Sequence, residues 1–517
     1  MTLSKILKTI HKVAEKEKVE IYVVGGYVRD LLLGIKKKTD IDFVVVGPGL
    51  EFAKRFDELY GEEGSLVEFP EFDTARYVFT PTSKCRRPEL AVKKMSQPRD
   101  VHRGTSNTFG VGFTRELGGG KKEKLFEIEF AGARSEKYDG ASRKPKVFAT
   151  SLEQDLKRRD FTINTMARKV IASGLSKKII DPFHGQEDLK NKILRTPFDP
   201  DETFSEDPLR MLRAARFSAQ LGFEIEEETY KAIERNKKRL KIISAERIQE
   251  ELLKLLSTPK PSIGLWILYN TKLFEEFLPE ISDLYGVEEV YGYGHKNNLA
   301  HTFRVVDNVA EKSDKVLLRY AALMHDVGKA GTKKFQKGRG WTFDMHEHLG
   351  RKIVRQIGKR LHMSKDDTEY VARLVRWHQQ PIALMDEGVS DSPVRRLIVN
   401  LKDDLEDLLV LCRSDITTGN PNKLKKRLKN YDYFEKRIEE VLEKDKLRAF
   451  QSPVRGEEIM KESGLKAGPT VGKIKKALED AILDGVIPNE YEATREYFEK
   501  IKGDYIERSE EWEKIKD

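Results

Sequence analysis

Two cysteines, Cys85 and Cys412, are all that 517 residues hold. So few, so far apart, they exclude a disulfide framework and a cysteine-ligated zinc ribbon, and a reducing cytoplasm fits them. Long apolar runs are absent too. With 35% charged residues and a mean hydropathy of −0.58, membrane-spanning helices are not expected. There is no internal repeat and no low-complexity tract. The first residues do not read as a signal peptide: Leu3, Ile6, Leu7, Ile10, Val13 and Ala14 recur at helical spacing with lysines between them. What the chain does have is length for several domains and a net charge of +9, which favours a polyanionic partner.

One stretch organises the rest. Glu20 to Val24 is short, β-branched and aromatic, and reads as a strand. Gly25-Gly26 then permits a turn that bulkier residues forbid, with amides free to face a ligand. Val28 to Leu33 reads as a helix that stops at Gly34, and Ile41 to Val46 as a second strand. Alternate strand residues share a face, so Asp40 and Asp42 point one way and Ile41 and Phe43 the other. Two carboxylates beside a glycine turn suit Mg²⁺, which takes oxygen ligands and bridges carboxylates to phosphates. Arg29 sits where its guanidinium could reach a triphosphate. This stretch resembles the signature of class II template-independent nucleotidyltransferases, the bacterial tRNA nucleotidyltransferases (CCA-adding enzymes) and their poly(A) polymerase relatives.

The resemblance continues along the head, residues 1–195. Phe72-Asp73-Thr74-Ala75 carries Asp73 where the family often has glycine, which leaves the local backbone and any phosphate contact open. A basic insertion at about 84–123 is the least family-like part. Leu125 to Phe130 alternates as a strand, and the resemblance makes Glu129 a third carboxylate or an orienter beside the metal site. Ala133 to Tyr138 resembles the family's Arg-containing turn. Arg158-Arg159-Asp160-Phe161-Thr162-Ile163-Asn164 is the most specific motif; by resemblance it recognises ribose and triphosphate. Arg159 offers a fork for phosphate, and Asp160 and Asn164 can hydrogen-bond ribose hydroxyls. Ile180 to Leu189, with Arg195-Thr196, looks like the hinge to the next region.

A helical neck and body is expected over 196–285. In Ser205 to Phe217, Ser205 reads as an N-cap and Pro208 suits an early helical position. Asp207 and Arg210, three apart, should be neighbours on the helix surface. The resemblance gives this pair the reading of the base, selecting CTP or ATP, and gives Arg213 and Arg216 further nucleotide or phosphate contacts. Ala245 to Leu253 reads as structural.

Residues 286–425 change character and resemble an HD phosphohydrolase domain. That likeness makes His301, His325, Asp326 and Asp415 metal ligands, with His346 and His378 completing a second metal position or binding phosphate. Such ligands suit Mn²⁺, Ni²⁺, Fe or Mg²⁺. The helical, charged tail at 426–517 reads as a tRNA contact.

The expected architecture is multidomain: an α+β nucleotidyltransferase head with a small mixed sheet, an all-α neck and body, and an all-α HD domain. The implied reaction is addition of CCA to tRNA 3′ ends from CTP and ATP, with Mg²⁺ at Asp40 and Asp42 and loss of pyrophosphate. The alternatives are a poly(A) polymerase, an enzyme adding only A or only CC, or an HD phosphohydrolase whose head binds RNA.

Overall fold

The computed structural model describes residues 3–35, 40–61, 64–79, 114–117, 121–124, 126–137, 146–286, 289–290, 293–294, 297–386, 388–445 and 452–513. Most of the basic insertion, Cys85, Leu125 and Tyr138 lie outside them. The chain forms two compact units: Met1–Glu251 with Trp266–Phe277, and Leu252–Leu265 with Leu278–Asp517.

A seven-stranded mixed sheet carries the first unit. Its strands are β1 (Glu20–Val24), β2 (Asp40–Val46), β3 (Gly64–Phe69), β4 (Thr74–Phe79), β5 (Glu127–Gly132), β6 (Ala167–Ile171) and β7 (Gly174–Ile180), in spatial order β7-β6-β1-β2-β5-β4-β3. Neighbours are antiparallel except β2 and β5, which run parallel. Helix α1 (Leu3–Glu17) buries the periodic residues Ile6, Leu7, Ile10, Val13 and Ala14. Helix α2 (Gly26–Leu32) follows the glycine turn. Helix α3 (Gly49–Tyr60) brings Phe52 and Phe56 to 5.3 and 5.2 Å from the Phe130 ring, and Phe43 of β2 lies 5.4 Å from it. This aromatic layer takes Ile41 and Phe43, so Asp40 and Asp42 project from the opposite face as expected. A one-residue slip would exchange the two sets. Burying Phe43 is worth roughly 1.5–3 kcal/mol, which opposes such a slip.

Asp73 holds the left-handed conformation in which glycine is usual, at φ 45° and ψ 47°. Its carboxylate oxygens accept the Gly49 and Leu50 amides, each at 2.9 Å. Helix α3 starts behind Pro48, which brings no capping group, so Asp73 caps it from a separate strand turn. The packing is tight: a Cβ on Gly49 would lie 2.1 Å from the Gly132 nitrogen. The departure from the family pattern therefore keeps the glycine-like backbone and spends its carboxylate on a helix end.

Helix α4 (Leu152–Lys157) leads through the tight turn Thr162–Asn164 into β6. The run from Ser205 departs from expectation. It belongs to two helices, α5 (Pro200–Glu206) and α6 (Leu209–Leu221), with Asp207 extended between them at φ −134°, ψ 95°. Proline disfavours the helical region for the residue before it, so Pro208 forces the break. Ser205 therefore lies inside α5 and caps nothing. Helix α7 (Ala245–Leu256) packs its first turns near this break.

Among its described residues the second unit is helical apart from short two-stranded ribbons. It includes α8 (Asn298–Ala310), α9 (Val316–Met324), a hairpin of β8 (Lys334–Gln336) and β9 (Gly340–Thr342), α10 (His346–Arg360), α11 (Lys365–Trp377), α12 (Leu405–Ser414) and α13 (Pro421–Asp445). The tail adds α14 (Gly456–Ser463), α15 (Pro469–Leu483) and α16 (Tyr491–Glu507) around Ile459, Ile474, Leu478 and Phe498. Arg396 ties this tail to the rest of the unit through Asp480 and Asp484 at 3.1 and 2.8 Å. Among the described residues no helix is long and apolar enough to cross a membrane.

Candidate functional site

The chain leaves β1 at Gly25, with φ 71° and ψ −140°. A Cβ there would lie 3.0 Å from Arg159 Nη1 and 3.7 Å from Asp42 Oδ2. Conformation and space both call for glycine, and both expected partners stand against the turn. One strand on, the parallel register sets Asp42 opposite Glu129 and Asp40 opposite Glu127. Residues paired this way share a face, so four carboxylates form a two-by-two array. Arg76 of β4 answers it, 3.1 Å from Glu129 and 3.5 Å from Glu127.

Burial pushes the Glu129 pKa up to about 8, the Asp42 charge adds to this, and Arg76 opposes it. Burial also raises Asp42, with Arg159 opposing and Asp40 adding. Asp42 keeps surface open to solvent, so the surrounding protein mass causes its desolvation, not enclosure. Crowded oxygen donors, with Asp42 and Glu129 raised by burial and by neighbouring carboxylates, fit a hard divalent cation such as Mg²⁺.

Behind the turn runs a buried polar chain. Arg29, 5% exposed, donates to Asn164 Oδ1 at 2.9 Å and pairs with Asp30 at 2.7 Å. Asn164 donates to Asp160 at 2.9 Å, and Arg213 donates to the same carboxylate at 2.8 and 2.5 Å. Arg216 pairs with Glu251 at 2.7 Å and lies over the Phe217 ring. Burial works to raise the Asp160 pKa, but Arg213 and the Asn164 hydrogen bond hold it well below the usual range. Arg29, Asp160, Asn164 and Arg213 thus engage one another. Arg159, anchored to Asp155 at 3.1 Å, stands with Asp42 against the Gly25 turn.

The Arg210 amide donates to the Asp207 carbonyl at 3.0 Å, but the two side chains do not pair. Asp207 accepts the Leu209 amide at 3.2 Å and Arg247 at 3.2 Å. Arg210 donates to the carbonyls of Thr203 and Arg158, at 3.2 and 2.5 Å. With Asp207 extended at the break, the two side chains turn apart: Asp207 is held by α7, and Arg210 by α5 and the Arg158 backbone.

The second unit holds a separate centre. His301 comes from α8, His325 and Asp326 from the end of α9, His346 from the start of α10, His378 from the end of α11 and Asp415 from the end of α12. They form two trios, His301 with His325 and Asp415, and Asp326 with His346 and His378. Asp326, expected with the first set, faces both. Its Oδ2 lies 3.3 Å from His325 and 3.6 Å from His301, and its Oδ1 lies 3.5 Å from His346 and 3.8 Å from His378. Three imidazoles are turned by backbone carbonyls: His325 Nδ1 to Ala322 at 2.7 Å, His346 to Phe343 at 2.9 Å, His378 to Val375 at 2.7 Å. His301 Nδ1 meets Thr417 Oγ1 at 2.8 Å. A donating Nδ1 leaves Nε2 as the ligand atom. His325 Nε2 and Asp326 Oδ1 are buried without a hydrogen-bond partner, which fits a pair of divalent-metal positions.

Comparison with known sequences matches three family descriptions: "Poly A polymerase head domain" at residues 21–107 and 113–195, "Probable RNA and SrmB-binding site of polymerase A" at 222–284, and "HD domain" at 298–410. A multifunctional CCA protein of Vibrio parahaemolyticus is 30% identical over 409 residues, 77% of this chain and 85% of that protein. The chain belongs to the tRNA nucleotidyltransferase and poly(A) polymerase family. An A-adding tRNA nucleotidyltransferase of Deinococcus radiodurans is 31% identical, over 66% of this chain and 78% of its own length. The fold agrees with that of the Bacillus stearothermophilus CCA-adding enzyme, solved with CTP, at a TM-score of 0.61, 21% identity and 99% coverage of both chains.

Within this nucleotidyltransferase, four residues of the site had no signal in its motifs. Arg76, Glu127, Arg247 and Glu251 enter through pairings across the sheet or between helices. Only the positions of Arg76 and Glu127 on alternating strands offered a hint, since each falls on the Asp42 face once the register is known.

Proposed function

We propose that this nucleotidyltransferase adds CCA to the 3′ ends of tRNA, taking CTP and ATP and releasing pyrophosphate. The observation that carries this reading is Asp40 and Asp42 on one face of β2, against the Gly25 turn and Arg159. The names of the relatives support tRNA as acceptor and C and A as the residues added. In this account the triphosphate lies on the Gly25-Gly26 turn, where Arg159 binds phosphate. Asp40 and Asp42 would hold Mg²⁺, and Glu129, braced by Arg76, would orient Asp42. Bound Mg²⁺ supplies positive charge at the reacting phosphate and makes the RNA 3′-hydroxyl a better nucleophile. That oxygen attacks the α-phosphorus, and the bond to pyrophosphate breaks. Arg29, Asn164, Asp160 and Arg213 hold the floor of the site. Asp207 offers acceptors and Arg210 donors to a base edge, a combination that complements C and A. Asp42→Ala abolishes transfer while tRNA binding persists; transfer by that variant overturns the site.

The second centre supports a further activity, metal-dependent hydrolysis of a phosphoester. The two trios would supply imidazole nitrogens and carboxylate oxygens to Mn²⁺, Ni²⁺, Fe or Mg²⁺. Hydrolysis of bis-p-nitrophenyl phosphate that needs one of these ions and stops in Asp326→Ala tests it.

A further inference from the structure

The segment that leaves the second centre after Asp415 is cationic. From Ile416 to Tyr431 the chain has five cations, Lys423, Lys425, Lys426, Arg427 and Lys429, and no acid. The segment from Val327 to Phe343, which joins Asp326 to His346 through the β8–β9 hairpin, likewise has five cations and no acid. Together these stretches carry ten positive charges, one more than the net +9 of the whole chain. The chain is therefore locally cationic, with no acid to offset it, in the segments that flank these metal ligands.

In the first of these segments a rigid element presents the charge. Thr417 braces His301, Asn420 caps the helix by accepting the Asn422 and Lys423 amides at 3.0 and 3.1 Å, and α13 begins. The five cations are exposed, and among the described residues none of them forms an ion pair. The second half of α13 is anchored: Tyr431, Phe434, Ile438 and Val441 are buried, and Asp432 and Glu435 hold Arg413 at 2.7 and 2.8 Å. Leu424 and Leu428, half-buried, line a groove of about 400 Å³ with Lys425 and Lys429. At 100° per residue, Lys423 and Arg427 flank this strip on one side and Lys425 and Lys429 on the other. A membrane-surface helix would need a broad exposed apolar face, and α13 has none in this half. Rows of unpaired cations on a stiff helix match a row of phosphates.

We propose that the first half of α13 is an RNA-backbone surface that leads a polynucleotide end to the histidine–aspartate centre. The word "leads" rests on the hydrolase reading of that centre; the RNA surface does not. The test uses the full chain and a tRNA transcript without its CCA end, with affinity measured across a salt series. In the variant K423Q/K425Q/K426Q/R427Q/K429Q the slope of log K against log salt should shrink by about 1.5 or more, since each phosphate contact contributes about 0.7–0.9. Affinity at the lowest salt should fall at least ten-fold. The half-variants K423Q/R427Q and K425Q/K429Q should each show part of the loss. A slope and affinity equal to those of the unmodified protein in all three variants overturn the proposal. Hydrolysis of bis-p-nitrophenyl phosphate by the unmodified protein with Mn²⁺ tests the centre separately. A silent centre with a shrunken slope removes the hydrolase reading and keeps the RNA surface.

Discussion

Asp42 and Glu129 stand directly opposite each other on the parallel strands β2 and β5. Glu129 is nearly enclosed, and Arg76 is bonded to it at 3.1 Å. In the proposed reaction this carboxylate orients Asp42. Groups that orient a metal's ligands cost about 10–100-fold in metal affinity or activity when removed. Glu129→Gln should therefore raise the Mg²⁺ concentration for half-maximal transfer and lower kcat within that range, with KM for CTP little changed. Arg76→Lys should recover part of what Arg76→Ala loses. An unchanged Mg²⁺ requirement in Glu129→Gln would contradict the role.

Asp207 is held by Arg247, forty residues on, at 3.2 Å. A charge-assisted hydrogen bond is worth about 1.5–3 kcal/mol, so losing it should cost roughly ten-fold or more in selection. Arg247→Ala should incorporate GTP or UTP more readily relative to CTP and ATP, with a smaller change in turnover. Asp207→Ala should show the same blurring. Strict C and A incorporation by both variants would remove Asp207 from base selection.

These cases show which parts were legible in the sequence. The Asp40–Asp42 alternation, the Gly25 turn and the α1 stripe are local, and local periodicity fixes them. The histidines and aspartates of the second unit were found by type and order, but their division was not. Asp326 faces both trios only because the ends of α9, α10 and α11 converge on it. Arg76 and Arg247 were invisible because strand register and helix packing create their pairings. The break at Asp207 departs from the helix-surface reading although its cause, Pro208, stands in the sequence: a helix-compatible proline constrains the residue before it, and that residue is Asp207.

Asp160 gives the protein an acid-side dependence. Its folded pKa lies below the ordinary 3.8 because Arg213 and Asn164 outweigh burial. Its contribution is thus complete above pH 3.8 and is lost as pH falls through the depressed value. Asp160→Asn should lose about 2–4 kcal/mol at pH 7, somewhat below the fully buried case because Arg213 is 32% exposed. Urea unfolding should show the gap between variant and parent narrowing below pH 3.8. An equal gap at pH 7 and pH 3 would contradict the ion-pair assignment.

The two trios differ in what one substitution removes. Asp326 faces both, whereas His301 belongs to the first. Titration calorimetry with Mn²⁺ should find binding at neither position in Asp326→Ala, and retained binding at the Asp326–His346–His378 position in His301→Ala. Equal losses in the two variants would mean that a single metal position spans the centre.

The most direct test of the central claim uses a tRNA transcript lacking its CCA end, incubated with Mg²⁺, CTP and ATP, and reads the 3′ ends by sequencing. The account predicts ends completed to CCA by the unmodified protein and none by Asp42→Ala. Runs of A, or a single A added only after a supplied CC, would contradict full CCA addition and move this protein to a specialised branch of its family.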